Sequence, residues 1–407
     1  MSSFSMPNII DLLAQTPPEL AALRRRRPEA VTNAEESFRA LFEHTALAVD
    51  FPLAHRYAVA AFIAGISRAP QPAAFYADLL ADEDESLVPV VDEAVRCGVS
   101  TGPYSGGDFI VFGQGRLPAA FDFAHLLTFH PKDASPAAIG HLQQTGYTDD
   151  AIVSLAQLIS FMAFQLRVVH GLQVLAGADL TGKTQQDAEA THVPPAGVLH
   201  PGWEPGPRTL VPEVVAPSGF VNHPLGWKPW VAPLAREALT EQQREALIRP
   251  ERIDQEYFRL LARDPAALKA RTLTDLDIFY NTEGGLGRAE RELAATVVSR
   301  LNGCEYCASV HQARTKAEGG NEAAVERLLE EGIEADLETD LWDAIRKAAV
   351  ALTRTPNEFG PDQLEVLRRA GLDDLAIIDA INASAFFNWA NRLMLTLGEP
   401  DVPKRLR

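Results

Sequence analysis

Run after run of this chain places apolar residues three and four apart, and very few runs place them two apart. That spacing is the helical one. It predicts helices over Ala34–Ala48, His55–Ser67, Pro72–Leu80, Leu87–Arg96 and Asp149–Leu175. Further on it predicts Thr240–Ile248, Ile253–Ala262, Ala289–Leu301, Cys304–Glu318, Asn321–Glu330, Asp340–Thr353, Asp362–Ala370 and Asp373–Leu395. The best short strand candidate is Phe109–Phe112. The chain therefore reads as all-α. Its most apolar stretch, about Ala151 to Ala176, carries Gln157, Ser160, Gln165, Arg167 and His170, which suits a buried helix better than a membrane span.

Between His192 and Pro233 the periodicity stops. Ten prolines and three of the five tryptophans (Trp203, Trp227, Trp230) fall there. Prolines oppose regular helices and sheet ladders, and tryptophans seek burial. An ordered connector packed on the protein is expected, in preference to a free linker. The flanking halves echo each other. Asp149-Asp150-Ala151-Ile152-Val153 resembles Asp373-Asp374-Leu375-Ala376-Ile377. Phe161, Phe164 and Arg167 resemble Phe386, Trp389 and Arg392, with the register slipped by one residue. His55-Arg56-Tyr57 stands where the second half has Glu290-Arg291-Glu292. The expected organisation is two tandem helical lobes, residues 1–176 and 235–407, joined by a connector over 177–234.

With 407 residues and 46% hydrophobic content, the chain can bury a sizeable core. A net charge of −18 argues against nucleic acid and anionic membrane surfaces as partners. Three cysteines cannot make a disulfide framework, and the first residues show no secretion signal, so a reducing, cytoplasmic location is expected.

Two of those cysteines carry the chemistry. In Cys304-Glu305-Tyr306-Cys307, followed by His311, both thiols and the imidazole share one helix face. Leu301-Asn302-Gly303 reads as a helix stop, so Cys304 opens the next helix, where free N–H groups and the helix dipole favour a thiolate. Zinc needs about four ligands, and only three are close in sequence. Two small residues packed in a helix are the other alternative. Glu292 lies twelve residues before Cys304, on the preceding helix. Antiparallel packing brings its carboxylate toward His311, where it orients an imidazole able to take a thiol proton. The dipole favours Cys304 as the nucleophile, whereas the base favours Cys307.

Arg291-Glu292, the cysteine pair and His311 together resemble the motif of the AhpD-like branch of the carboxymuconolactone decarboxylase superfamily. Asp277–Asn281 and Gly284-Gly285-Leu286 resemble peroxidase-related members of it. The specific match covers about residues 235–395, with a weaker one over the first half. The resemblance implies an all-helical oligomer that reduces organic hydroperoxides with a cysteine pair. Glu292 and His311 would be the relay, Cys307 the attacking thiol and Cys304 the resolving one. It implies no cofactor and no metal, and an external dithiol reductant, either a lipoyl-carrying protein or a thioredoxin-like donor. Ala69-Pro70-Gln71-Pro72 and Tyr76 stand where the first half would need cysteines and histidine, so that lobe is a degenerate copy. Tyr306 replaces a histidine common in the family. A fused pair can also replace a homodimer contact. A general thiol–disulfide oxidoreductase and a non-enzymatic redox sensor remain as alternatives.

Other signals carry less. Residues 177–184 spell a phosphate-loop pattern without the strand–helix frame it needs. The glycines from Gly98 to Gly115 form a flexible turn region. Cys97 is expected to be buried and apolar, and Arg24-Arg25-Arg26-Arg27 to be a solvated charge run. Phe386, Phe387 and Trp389 are expected in the core. Tyr306, Asn281, Asn388, Asn391 and Arg392 are candidate pocket residues.

Overall fold

Helices begin where the sequence supplies a cap or a proline. Pro28, Pro70, Pro136, Pro265 and Pro361 each open a helix, where the missing N–H is not needed. Thr148, Asp264, Asn321, Thr339 and Asp373 accept a first-turn N–H through their side chains. The computed structural model describes residues 8–43, 50–105, 111–178, 180 and 213–407. These residues are mostly helical.

Two helix pairs organise the core. The long helix Asp149–Leu175 packs along Asp374–Thr396, and Pro28–Phe42 packs along Pro265–Tyr280. The most apolar window of Asp149–Leu175 is fully buried, so protein rather than lipid covers its length. Buried arginines tie the halves together reciprocally. Arg167 donates to the carbonyl of Thr353 at 2.7 Å, and Arg392 donates to the carbonyls of Leu127 and Thr128 at 2.7 and 3.2 Å. Each also donates to the carbonyl four residues back on its own helix.

A third knot sets the start of the Arg288–Asn302 helix. Asp379 accepts Nε and Nη2 of Arg27 at 2.8 and 2.7 Å, Nη2 of Arg291 at 3.0 Å and the N–H of Leu286 at 2.9 Å. Arg291 further holds the carbonyls of Ile278, Asn281 and Leu286. In the first half Arg56 holds the carbonyls of Phe51 and Leu41 in a similar way.

Several expectations need correction. Arg24 and Arg27 are not solvated: both are buried, on Asp11 and Asp379, and only Arg25 and Arg26 face water. A buried carboxylate recruits a cation that composition alone assigns to the surface. The chain is also not wholly helical. Gly226–Pro229 pairs antiparallel with Gly398–Asp401, Trp227 opposite Pro400. A two-stranded ribbon is all edge, so prolines are tolerated there. Trp227 donates to the carbonyl of Met394 and Trp230 to Glu399, which fastens this stretch to the end of the last helix. Trp203 lies outside the described residues, as do 44–48 of the Ala34–Ala48 prediction and most of the phosphate-loop pattern. Phe109 and Ile110 of the strand candidate also lie outside them. Phe112 is irregular, its N–H held by Asp122 at 2.8 Å. Cys97 is only half-buried, with its thiol 3.4 Å from the carboxylate of Glu93.

Candidate active site

The site is built on two helices and the turn between them. Arg288–Asn302 ends at Gly303, whose φ of +80° is a left-handed cap; a Cβ there would strike the Lys132 side chain. Cys304 is the N-cap of the next helix, Glu305–Ala317. The turn is anchored from below. Asn302 donates to the side chains of Asn388 and Asn391 at 3.2 and 3.1 Å, Asn391 donates to Ser299, and Asn388 to Thr353. Arg392 closes this network on Asn388 at 2.9 Å.

Across the turn, Nδ1 of His311 lies 2.5 Å from Oε2 of Glu292. The other carboxylate oxygen, Oε1, accepts Nε and Nη2 of Arg288 at 3.0 and 2.8 Å. Glu292 is buried, which by itself pushes its carboxyl up. The hydrogen bond and charge of His311, with those of Arg288, outweigh burial, so the carboxyl lies below its ordinary value of 4.5. A carboxylate can only accept, so His311 carries a proton on Nδ1, and in the neutral ring the lone pair is then on Nε2. Nε2 has no hydrogen-bond partner among the described residues. The ring is half-buried and packs edge-on against Phe387 at 4.1 Å, with Phe279 at 6.0 Å.

Both thiols are free and nearly inaccessible, Cys304 at 2% and Cys307 at 4% exposure. Here one electrostatic expectation fails. The helix N-terminus does not win at Cys304: burial pushes that thiol well up, and the hydrogen bond and charge of Cys307 push the same way, against the N–H of Cys307. Cys304 is therefore held as a thiol. His311 stands one helical turn beyond Cys307.

The predicted residues divide cleanly. Glu292 meets His311, Cys304 meets Cys307, and Cys307 and His311 stand one turn apart on the same helix. Tyr306 is half-buried between the cysteines in sequence, with its hydroxyl pushed to about 12 by burial and then by the charges of Cys307 and Cys304. Asn388, Asn391 and Arg392 are fully buried in the network under the turn, where they position Cys304's helix and line no opening. Asn281 belongs to the Arg27 knot, bonded to the carbonyl of Arg26 and to Asp277. Phe386 and Phe387 are core residues, and Phe387 also walls the imidazole.

Sequence reasoning missed Arg288, although its place four residues before Glu292 is an ordinary helical ion-pair spacing. It also missed Arg271, Asp275 and Tyr257. No local pattern marks these, because they reach the site from segments thirty to fifty residues upstream. A cavity of about 1190 Å³ is lined by Arg68, Pro70, Pro72, His170 and Gln173 and by neither site cysteine. Size alone does not make it reactive, since it holds no thiol and no acid–base pair.

The match to a known protein family falls on this stretch. Residues 265–355 match the carboxymuconolactone decarboxylase family, an interval that contains Glu292, both site cysteines and His311. The uncharacterized protein YdfG of Bacillus subtilis (strain 168) is 28% identical over 129 residues, 31% of this chain and 84% of that protein. Residues 265–355 are accordingly a carboxymuconolactone decarboxylase family domain, of the family that includes the AhpD-like peroxidases.

Proposed function

We propose that this protein is a thiol peroxidase that reduces organic hydroperoxides. The observation that carries the reading is the 2.5 Å contact between Glu292 and His311, the imidazole that stands one turn beyond Cys307 on its helix. Nε2 of His311 takes the Cys307 proton, directly or through one water. The thiolate attacks the terminal peroxide oxygen and the O–O bond breaks. Cys307 becomes a sulfenic acid, and the alkoxide leaves as ROH with the proton held by His311. Cys304 then attacks the sulfenic sulfur; its proton and the hydroxide leave as water, and a Cys304–Cys307 disulfide forms. An external dithiol reopens it by exchange. The high-lying Cys304 thiol suits the resolving role, because it stays protonated until the sulfenic acid appears.

The burial of both sulfurs favours this reading over a general disulfide oxidoreductase, since a folded protein substrate could not reach them. It also favours a reductant that presents its dithiol on a thin arm, as a lipoyl group does, over a broad thioredoxin-like face. The wider reading includes two tandem AhpD-like lobes, the first without the cysteine pair, in a cytoplasmic homo-oligomer. The reciprocal Arg167 and Arg392 clamps support the duplication, as does the recurrence of proline-led helices at Pro28, Pro70 and Pro136 and at Pro265 and Pro361.

Dimedone trapping tests the order of the thiols. After one equivalent of cumene hydroperoxide, Cys304→Ser is expected to hold a trapped sulfenic acid at Cys307. A sulfenate found at Cys304 in Cys307→Ser, and none in Cys304→Ser, would reverse the assignment.

A further inference from the structure

One buried cation near the dithiol makes no hydrogen bond and no close ion pair among the described residues. The described residues include eight buried arginines. Seven hold a carboxylate or a carbonyl: Arg24, Arg27, Arg291 and Arg346 hold acids, and Arg56, Arg167 and Arg392 hold carbonyl oxygens. Arg271 holds neither. It is 6% exposed, its Nε is buried without a hydrogen-bond partner, and no carboxylate lies within 4.0 Å of it among the described residues. A guanidinium with a dry, unbonded Nε and no close carboxylate is an open position for an incoming anion.

The surroundings of Arg271 fit such an anion. Its guanidinium lies 5.0 Å from the ring centre of Phe386 and 5.9 Å from that of Tyr257. The Tyr257 hydroxyl is a second orphan, buried and unbonded. Burial raises its pKa to about 12, so it is a donor at neutral pH. Asp275, one turn along the same helix, comes no closer to Arg271 than 4.0 Å; burial pushes its carboxyl up, against the charges of Arg271 and His311. Phe386 packs on Phe387 at 6.1 Å, and Phe387 packs on His311. Trp227 stands edge-on to Tyr257 at 5.5 Å. Two unpaired donors thus sit in an aromatic surround that runs to the catalytic imidazole.

We propose that Arg271 and Tyr257 form an anion-binding subsite beside Cys307 that takes an organic carboxylate, the carboxylate of the hydroperoxide substrate. The flat fork of a guanidinium matches a carboxylate with two parallel hydrogen bonds, and the aromatic walls suit the carbon skeleton attached to it. The inference rests on the peroxidase reading for the identity of the substrate, but not for binding.

The test compares linoleic acid hydroperoxide with its methyl ester on the full-length reduced protein. The wild type is expected to favour the acid by at least about tenfold in kcat/KM. In Arg271→Gln the acid-to-ester ratio falls toward one, in Arg271→Lys it is partly restored, and in Tyr257→Phe, which keeps the ring, it drops severalfold. Calorimetric titration with octanoate, which has no peroxide bond, is run in parallel. Octanoate binding that weakens at least about tenfold in Arg271→Gln supports the subsite even if neither hydroperoxide is consumed, a result that would remove the peroxidase reading alone. Equal rates with acid and ester, together with octanoate binding indifferent to both Arg271→Lys and Tyr257→Phe, would overturn the subsite and leave the peroxidase reading standing.

Discussion

Cys307→Ser is expected to lose hydroperoxide turnover by at least about a thousandfold, because a nucleophile and its base act as one unit. A serine hydroxyl is far too weak an acid for His311 to deprotonate usefully, and oxygen is a poor nucleophile toward a peroxide bond. Cys304 cannot substitute, since burial holds its thiol well above its ordinary value. Cys304→Ser should behave differently. It keeps one stoichiometric reduction per site and loses only the turnover that needs the disulfide. Following peroxide loss with dithiothreitol as reductant separates the two. Equal steady-state rates for Cys307→Ser and the wild type would remove Cys307 from the chemistry. The fold should hold in both variants, because serine nearly matches the volume it replaces.

Glu292→Gln is expected to lower kcat/KM by about a hundredfold to ten-thousandfold, the range for a disabled general base. The amide keeps the shape but removes the charge that orients the imidazole, and its NH2 can turn toward Nδ1 and select the wrong tautomer. Arg288, which now donates twice to Oε1, loses its counter-ion as well. The pH dependence has a definite sign. The folded carboxyl lies below 4.5, so it contributes stability that is fully present above the unfolded value and is lost as pH falls through the folded one. The wild type should therefore shed this increment of Tm below about pH 4.5, and the glutamine variant should show a flatter acid limb. Superimposable acid limbs would mean that the Glu292–His311–Arg288 group contributes nothing to folding.

Much of this site was legible because its parts are local. Glu292, Gly303, Cys304, Cys307 and His311 lie within twenty residues, and a helix, a glycine stop and a second helix bring them together with no help from elsewhere. The long helix Asp149–Leu175 was legible for a similar reason, since burial on every side writes itself as an unbroken apolar run. The helix Pro265–Tyr280 was not. It buries Arg271, Thr272, Thr274 and Asp277 beside its apolar residues, so its pattern has no clean polar face. Arg27 was misread for the same cause: its partner Asp379 lies 352 residues away. Asn388, Asn391 and Arg392 look like pocket residues by type, yet their partners Ser299, Asn302 and Thr353 make them internal ties. What sequence cannot display is which distant polar group has a partner, and that accounting separates a structural arginine from the unpaired Arg271.

The most direct test of the central claim is stopped-flow mixing of the reduced wild-type protein with cumene hydroperoxide, with thiols counted and the disulfide mapped by mass spectrometry afterwards. The account predicts consumption of one peroxide per chain, far faster than by free dithiothreitol, with a single Cys304–Cys307 disulfide and Cys97 still reduced. Consumption no faster than free dithiothreitol, with both site cysteines still thiols, would contradict it.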